Sequence, residues 1–386
     1  MRKQSRCAAG SSLEKPRQLV WRAGRRAGRN SKKGNRQGAK AVEGRESCRG
    51  ARLDRSGFEE KEEQAVKVLL TGAFGNVGKS TIHELVKQGH EVRCFDIRSK
   101  VNEKAAAKYK GRIEVMWGDI RRFEDVANAM RDREAVVHLA FMIPSTMSHT
   151  GKSSEDHPDL AEAVNVGGTA NIIEAARSLL HRPRLIFSSS ISVYGITQDQ
   201  SAPRTASDPI YASDHYSEHK LVCEKMVMES GLDWVILRFA AVLAVNVGMN
   251  PDMFDTPLDN RIEFVHSKDV GLACANAVSS ADAAGKVLLI GGGPSCQMKY
   301  GDMISGAMEV FGLGMLPEEA FCAEYRYFDW LDTDESQRIL NFQRHSYKDW
   351  LNDVKRHFTV TRHLARMFKP ISRWVVLQKS PYYQKA

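Results

Sequence analysis

A glycine-rich turn between a strand and a helix narrows the possible folds of this chain more than any other feature. Val66-Lys67-Val68-Leu69-Leu70 is a short apolar run with strand character. Thr71-Gly72-Ala73-Phe74-Gly75-Asn76-Val77-Gly78 follows, and a helical period runs from about Asn76 to Gly89. In that context each glycine has its own task. Gly72 permits the tight turn, Gly75 lets backbone approach a pyrophosphate, and Gly78 lets helix and strand pack closely. The helix N-terminus adds unpaired N–H groups and the positive end of its dipole. Gly72, Phe74, Gly75, Asn76, Val77 and Gly78 therefore form the expected cradle of a dinucleotide.

The rest of the chain supplies the matching architecture. Strand patterns recur at 91–96, 113–116, 135–139, 185–188 and 234–237, with helical stretches near 102–109, 122–131, 160–180 and 216–229 between them. Such alternation implies a parallel sheet covered on both faces, a doubly wound α/β fold. After about residue 240 the alternation loosens into short segments with Pro and Gly. A smaller lobe, mainly 240–345, is expected there, interleaved with late returns to the sheet. The domain expectation is a basic extension at 1–63, a folded body at 64–345 and a basic tail at 346–386.

Charge is divided just as unevenly. Residues 1–57 hold 17 Lys/Arg against 4 Asp/Glu, and 354–386 hold 8 against none, so a total of +9 leaves 58–353 at −12. An acidic body would repel nucleic-acid phosphates, so no nucleic-acid groove is expected in it. Residues 1–57, rich in Arg, Gly and Ser and almost free of aromatics, lack the apolar surface to offset ordering entropy and are expected to be disordered. They resemble an organelle transit peptide in being Arg-rich and acid-poor but lack its amphipathic face, and an upstream misassigned start stays open. The 7 cysteines are scattered without a Cys-x-x-Cys pair, so neither a metal site nor a disulfide framework is expected, and a reducing cytoplasmic setting fits. Near the C-terminus, Phe358, Leu364, Met367, Phe368, Trp374, Val375, Val376 and Leu377 stand among cations. Docking on a membrane surface or a partner and packing on the body are both open readings of that segment.

Chemistry enters at the strand ends. Asp96 closes the second strand, 24 positions after Gly72. A carboxylate there accepts hydrogen bonds from ribose hydroxyls and repels a 2′-phosphate, which favours NAD. Arg98 and Lys100 follow closely and keep NADP open. Asp119 and Ile120 come after the third strand, where Asp119 faces either an adenine edge or a helix cap. Tyr216 and Lys220, at i and i+4 on one helix, lie about 6 Å apart along the axis, the spacing for an ammonium to lower a phenol's pKa. Such a phenol can exchange a proton with an alcohol or carbonyl while hydride moves to or from nicotinamide. The run from Ser188 to Gly195 leaves the fifth strand where ligands bind in these sheets. Ser190 is the candidate to hold a substrate carbonyl, with Ser189 and Ser192 as alternatives.

In these ordered motifs the chain resembles the extended short-chain dehydrogenase/reductase superfamily, in its NAD-dependent epimerase/dehydratase branch. The motifs are the glycine turn, Gly118-Asp119-Ile120, Val136-Val137-His138-Leu139-Ala140, Asn165-Val166-Gly167-Gly168-Thr169-Ala170-Asn171, Ser188–Gly195, and Tyr216 to Lys220, within roughly 66–345. The resemblance implies a Rossmann-type core with a C-terminal substrate lobe. It implies Ser190, Tyr216 and Lys220 as the catalytic trio, with Lys220 also reaching the nicotinamide ribose. Ile120, Leu139, Ala140 and Ser188 join the cofactor-binding set, a small-molecule substrate is implied, and a homodimer is admitted. Two departures bear on the substrate. Ile191-Ser192 stands where the sugar dehydratases carry an Asp-Glu pair, which disfavours dehydration. Arg238-Phe239-Ala240-Ala241-Val242-Leu243-Ala244 replaces the Asn-x-x-Gly-Pro turn usual in sugar-nucleotide epimerases.

Overall fold

The computed structural model describes residues 65–144, 153–245 and 250–383. Residues 1–63, expected to be disordered, lie outside these. The apolar runs form β1 (Lys67–Thr71), β2 (Glu91–Asp96), β3 (Glu114–Trp117), β4 (Ala135–His138), β5 (Arg184–Ser190) and β6 (Trp234–Phe239). Next come β7 (Ala241–Leu243), β8 (Arg261–His266), β9 (Lys286–Ile290) and β10 (Gln297–Lys299). Seven strands make one parallel sheet in the order β3-β2-β1-β4-β5-β6-β9. β9 is a late return to the sheet, arriving after the lobe has begun.

Alternation along each strand builds two layers. Val68 and Leu70 of β1 face α1 (Asn76–Lys87), while Leu69 faces the opposite layer. The first layer is completed by Val270, Ala273 and Cys274 of a helix at Ser267–Ser279, whose Gly271 lies so close to α1 that a Cβ would stand 2.5 Å from the Ser80 carbonyl carbon. At its edge the first layer also carries α2 (Lys100–Ala107), through Ala105 and Ala106, and the second layer holds α3 (Phe123–Met130), α4 (Pro158–Glu162), α5 (Gly168–Ser178) and α6 (His215–Met228). Val126, Ile172, Ala176, Cys223 and Val227 bury against Phe187 and Ile236 there. Each fully buried Leu or Ile in these layers contributes roughly 2 kcal/mol. This is the Rossmann-type doubly wound sheet that the alternation implies.

One expected element is divided. The helical period over 160–180 is interrupted at Ala163–Gly167 by a π-helical turn between α4 and α5. A π turn inserts one residue into the helix, and it does so here at Asn165, whose side chain is engaged outside the helix.

The lobe pairs β7 with β8 in parallel and β8 with β10 antiparallel. Its core gathers Phe254, Phe264, Met303, Met308, Phe311, Leu316 and Phe321. Following α7 (Ser267–Ser279), the helices are α8 (Tyr300–Val310), α9 (Asp334–Leu340), α10 (Tyr347–His357), α11 (Thr359–Met367) and α12 (Lys369–Leu377). Residues 346–386, expected as a tail, thus contain three helices, and Trp350, Val354 and Val376 enter the lobe core. Among the described residues no helix is long and apolar enough to cross a membrane.

Candidate active site

The strand order reverses between β1 and β4, and a doubly wound sheet opens a crevice at such a point. Gly72 sits at its rim with φ +63°, in the left-handed region that favours glycine, and a Cβ there would stand 2.8 Å from the Ala140 nitrogen. At Gly78 a Cβ would lie 2.4 Å from the carbonyl oxygens of both Gly72 and Ala73. Gly75 caps α1 without any side-chain hydrogen bond, and it is exposed. The turn is therefore a cradle with bare backbone facing outward, one that side chains would fill. A pyrophosphate fits this set of donors, and Asn76 and Val77 carry N–H groups of the first helical turn.

Asp96 ends β2 beside the cradle. Its Oδ2 accepts from the Phe74 N–H at 2.9 Å and its Oδ1 from the Ile97 N–H at 2.8 Å. Burial raises its pKa, and those backbone bonds oppose the shift. Spare lone pairs remain for ribose hydroxyls. Arg98 turns away, its Nε donating to Glu103 at 2.7 Å. Asp119 does not cap α3, whose N-cap is Arg122. Its carboxylate is held instead by Arg121, which lowers its pKa. Ile120 is buried, and its carbonyl accepts from Asn171 Nδ2 at 2.9 Å. Leu139 and Ala140 cross the rim, both N–H groups donating to Thr71 Oγ1 at 3.2 Å.

The catalytic candidates meet at the ends of β5 and α6. Ser190 Oγ accepts from the Ser192 N–H and from Ser192 Oγ, at 3.1 and 2.9 Å. Ser189 is on the other face of the strand, with its hydroxyl buried. An Asp214–Ser217 capping box starts α6, which fixes where Tyr216 and Lys220 emerge. Arg238 of β6 clamps the same helix through a two-bond pair with Glu224, at 2.9 and 2.7 Å. Lys220 is buried, and its Nζ donates to the Ser188 carbonyl at 2.6 Å while lying 3.4 Å from the Phe141 ring centroid.

The electrostatics correct one expectation drawn from the Tyr216–Lys220 spacing. The ammonium points to Ser188 and Phe141, and the phenol is not lowered. Burial raises Tyr216 well above its ordinary value, with the neighbouring Ser190 hydroxyl acting in the opposite direction. Burial brings Lys220 down to about 7. The protein alone thus presents Tyr216 as a protonated donor.

These elements recur in known proteins. The family model for the NAD dependent epimerase/dehydratase family matches residues 68–256. The chain belongs to that family. It is 29% identical to a 3-beta-hydroxysteroid dehydrogenase of Mycolicibacterium neoaurum over 60% of this chain and 67% of the relative. It is 28% identical to the UDP-glucose 4-epimerase of Lactobacillus helveticus over 45% of this chain and 51% of that enzyme. The match thus spans two thirds of the first relative's length and about half of the second's. Among solved structures, DesIV, a dTDP-glucose 4,6-dehydratase from Streptomyces venezuelae with NAD and TYD bound, aligns with TM-score 0.64 at 23% identity, covering 77% of this chain and 98% of that one. The shared fold is the Rossmann type, and the epimerase/dehydratase family is one of NAD-dependent enzymes.

Within this family member the structure gives individual contacts to residues that the sequence reading quoted only inside motifs, Asn165 and His138, and to two it left aside, Phe141 and Tyr327. Asn165, in the π turn, accepts from the Met142 N–H at 2.6 Å and donates to the Met142 carbonyl at 3.0 Å. Its Nδ2 is also 3.3 Å from His219 Nδ1 on α6. It therefore ties the segment after β4 to α6, the helix that carries Tyr216 and Lys220. His138 joins the Thr71 and Thr169 hydroxyls, at 2.8 and 3.1 Å, and burial lowers its pKa to about 3. Phe141 meets Tyr216 edge-on at 5.8 Å. From the lobe, Tyr327 is near enough for Tyr216 and Asp214 to add to the upward shift that burial imposes on it. A polar residue on an inward helical position before two glycines was the available signal for Asn165.

Proposed function

We propose that this chain is an NAD-dependent oxidoreductase that interconverts a secondary hydroxyl and a ketone on an uncharged, largely apolar substrate. The carrying observation is the buried Tyr216 phenol, held protonated beside Ser190 at the mouth of the glycine cradle. Bound NAD supplies the hydride acceptor, and its reduced form the donor. Gly72 to Gly78 would hold its pyrophosphate, Asp96 its adenosine ribose and Lys220 its nicotinamide ribose. Ser190 orients the substrate oxygen. Tyr216 gives that oxygen a proton in reduction and removes one in oxidation. Phe141 and the sheet exclude water from Lys220.

Three paired arginines, of β6, the loop before α6 and the lobe, support that substrate class. Arg238 is engaged by Glu224 and Tyr194, and Arg204 by Asp208, Gln200 and Asp329. Arg261 is engaged by Asp329 and three backbone carbonyls. A sugar nucleotide brings a diphosphate that needs such cations, so their internal pairing favours a neutral substrate. The steroid dehydrogenase relative acts, by its name, on a substrate of that kind. The Arg98–Glu103 pair similarly favours NAD over NADP.

The test is a panel of hydroxysteroids and other neutral secondary alcohols with NAD, and of UDP- and dTDP-sugars, followed by nicotinamide absorbance and product chromatography. Turnover of a neutral alcohol that Tyr216→Phe abolishes supports the proposal. Turnover confined to nucleotide sugars would refute it.

A further inference from the structure

The last two helices of the lobe place their arginines and their apolar residues in an unusual way. Arg366 Nη2 faces the Glu309 and Val310 carbonyls at 3.3 and 3.4 Å. Arg373 Nη1 donates to those of Leu313, Gly314 and Met315 at 2.6, 2.9 and 2.9 Å. The two helices are thereby hung from the last residues of α8 and the turn that follows, with Ala365, Val376 and Leu377 packed inward. The opposite side is left apolar and uncovered. Val360 is 72% exposed, Leu364 50%, Met367 66%, Ile371 61% and Trp374 58%. Their numbers advance by four and three within α11 and by three within α12, a stripe on each helix, with Phe368 at the junction and Val375 beside the second.

Scattered exposed hydrophobic residues need no explanation, but a contiguous patch marks something that covers it. Charge identifies the cover. Residues 354–386 hold 8 Lys/Arg and no Asp/Glu, and Lys355, near the end of α10, and Lys369, at the start of α12, are exposed. A two-fold contact between copies would set this cationic segment against itself. An anionic bilayer surface satisfies both features, with acyl chains for the stripes, headgroup phosphates for the lysines, and an interfacial position for Trp374.

We propose that α11 and α12 form a reversible docking surface for anionic membranes, lying in the interface plane with the stripes inserted roughly 5–10 Å. The inference does not rest on the proposed reaction. It gives the acidic body a fixed orientation, since the same lipids repel residues that carry −12.

The experiment uses the full chain and sedimented vesicles of phosphatidylcholine, with or without phosphatidylserine. Residues 1–57 are also cationic, so the decisive variant keeps every charge: Leu364→Ser, Ile371→Ser and Trp374→Ser together. Wild type should partition onto phosphatidylserine vesicles, and the variant should lose at least tenfold in partition coefficient with an unchanged melting temperature. Brominated lipid should quench wild-type tryptophan fluorescence, and Trp374→Phe should remove that quenching. Equal binding of wild type and triple variant, or no binding by wild type, would overturn the proposal. So would a wild-type dimer, seen by light scattering, that the triple variant converts to monomer without any change in lipid binding.

Discussion

The sheet and the lobe hold their polar side chains in place by different means. From β1 to β6, each chemistry-bearing residue stands at the end of a strand or in the first two turns of a helix, and the backbone ladders of the sheet set the strand ends. Thr71 is opposite Phe95 on one side and His138 on the other, so the cradle's origin is fixed by register. The lobe has short strands and relies on buried ionic and polar hubs. Asp329 is fully buried and takes Arg261, Arg204 and Thr197. Glu263 takes the Gly293 and Leu331 N–H groups and Gln297 Nε2. Ladder geometry tolerates few changes. Hubs can be exchanged one at a time, which suits the substrate-selecting part proposed for the lobe.

Tyr216→Phe should have the largest effect of any substitution in the sheet half, lowering turnover by about 10²–10⁴ while leaving calorimetric NAD binding intact. Loss of binding along with turnover would show that the phenol is structural. Gly78→Ala comes next. Its Cβ would meet two backbone carbonyl oxygens that cannot move aside, and NAD affinity should fall by roughly a hundredfold, about 3 kcal/mol on the scale of a strained core site. In the lobe, Asp329→Asn removes the charge that two arginines share and should cost about 3 kcal/mol in urea unfolding. NAD affinity should change little, because the cradle lies in the other region.

Titration should separate the regions by sign. Lys220 falls from its ordinary 10.5 to about 7 in the folded chain, so the unfolded state binds the extra proton between those values. Its contribution to stability therefore rises with pH from about 7 toward 10.5, and Lys220→Met should flatten that rise. Glu263 rises from 4.5 to about 7, so its contribution is full below 4.5 and is lost as pH climbs through 7. Chemical unfolding at stepped pH checks both, and slopes of the same sign would break the contrast. The smallest expected effect is that of Phe141→Leu, which removes the ring beneath the Lys220 ammonium. It should lower kcat/KM by roughly three- to tenfold and shift the alkaline limb of the pH profile.

The same contrast explains what was legible beforehand. The glycine turn, Asp96, Ser190, Tyr216 and Lys220 could be read because strand runs and a helical period place such residues without knowledge of tertiary contacts. Asn165 could not, since the period from 160 to 180 looks continuous and a π turn changes only which carbonyl each N–H meets. The direction of Tyr216's shift was also hidden. Spacing shows that Lys220 is close, but only packing shows it committed to Ser188 and Phe141 with burial dominating the phenol. In the lobe, Glu263 and the stretch from Tyr327 to Asp329 lie more than sixty positions apart and come together only in three dimensions.

The hydrogen-bonded path through His138 has a consequence of its own. Thr71 Oγ1 is already an acceptor for two N–H groups, so its proton goes to His138 Nδ1. His138 then donates from Nε2 to Thr169, and the Thr169 hydroxyl donates to the Asn165 carbonyl at 2.6 Å. Every hydrogen points the same way, and with its pKa near 3 the imidazole stays neutral across physiological pH. The path works as a strut without a switch. It braces the cofactor turn against the π turn at a fixed span, and it conducts no proton between them.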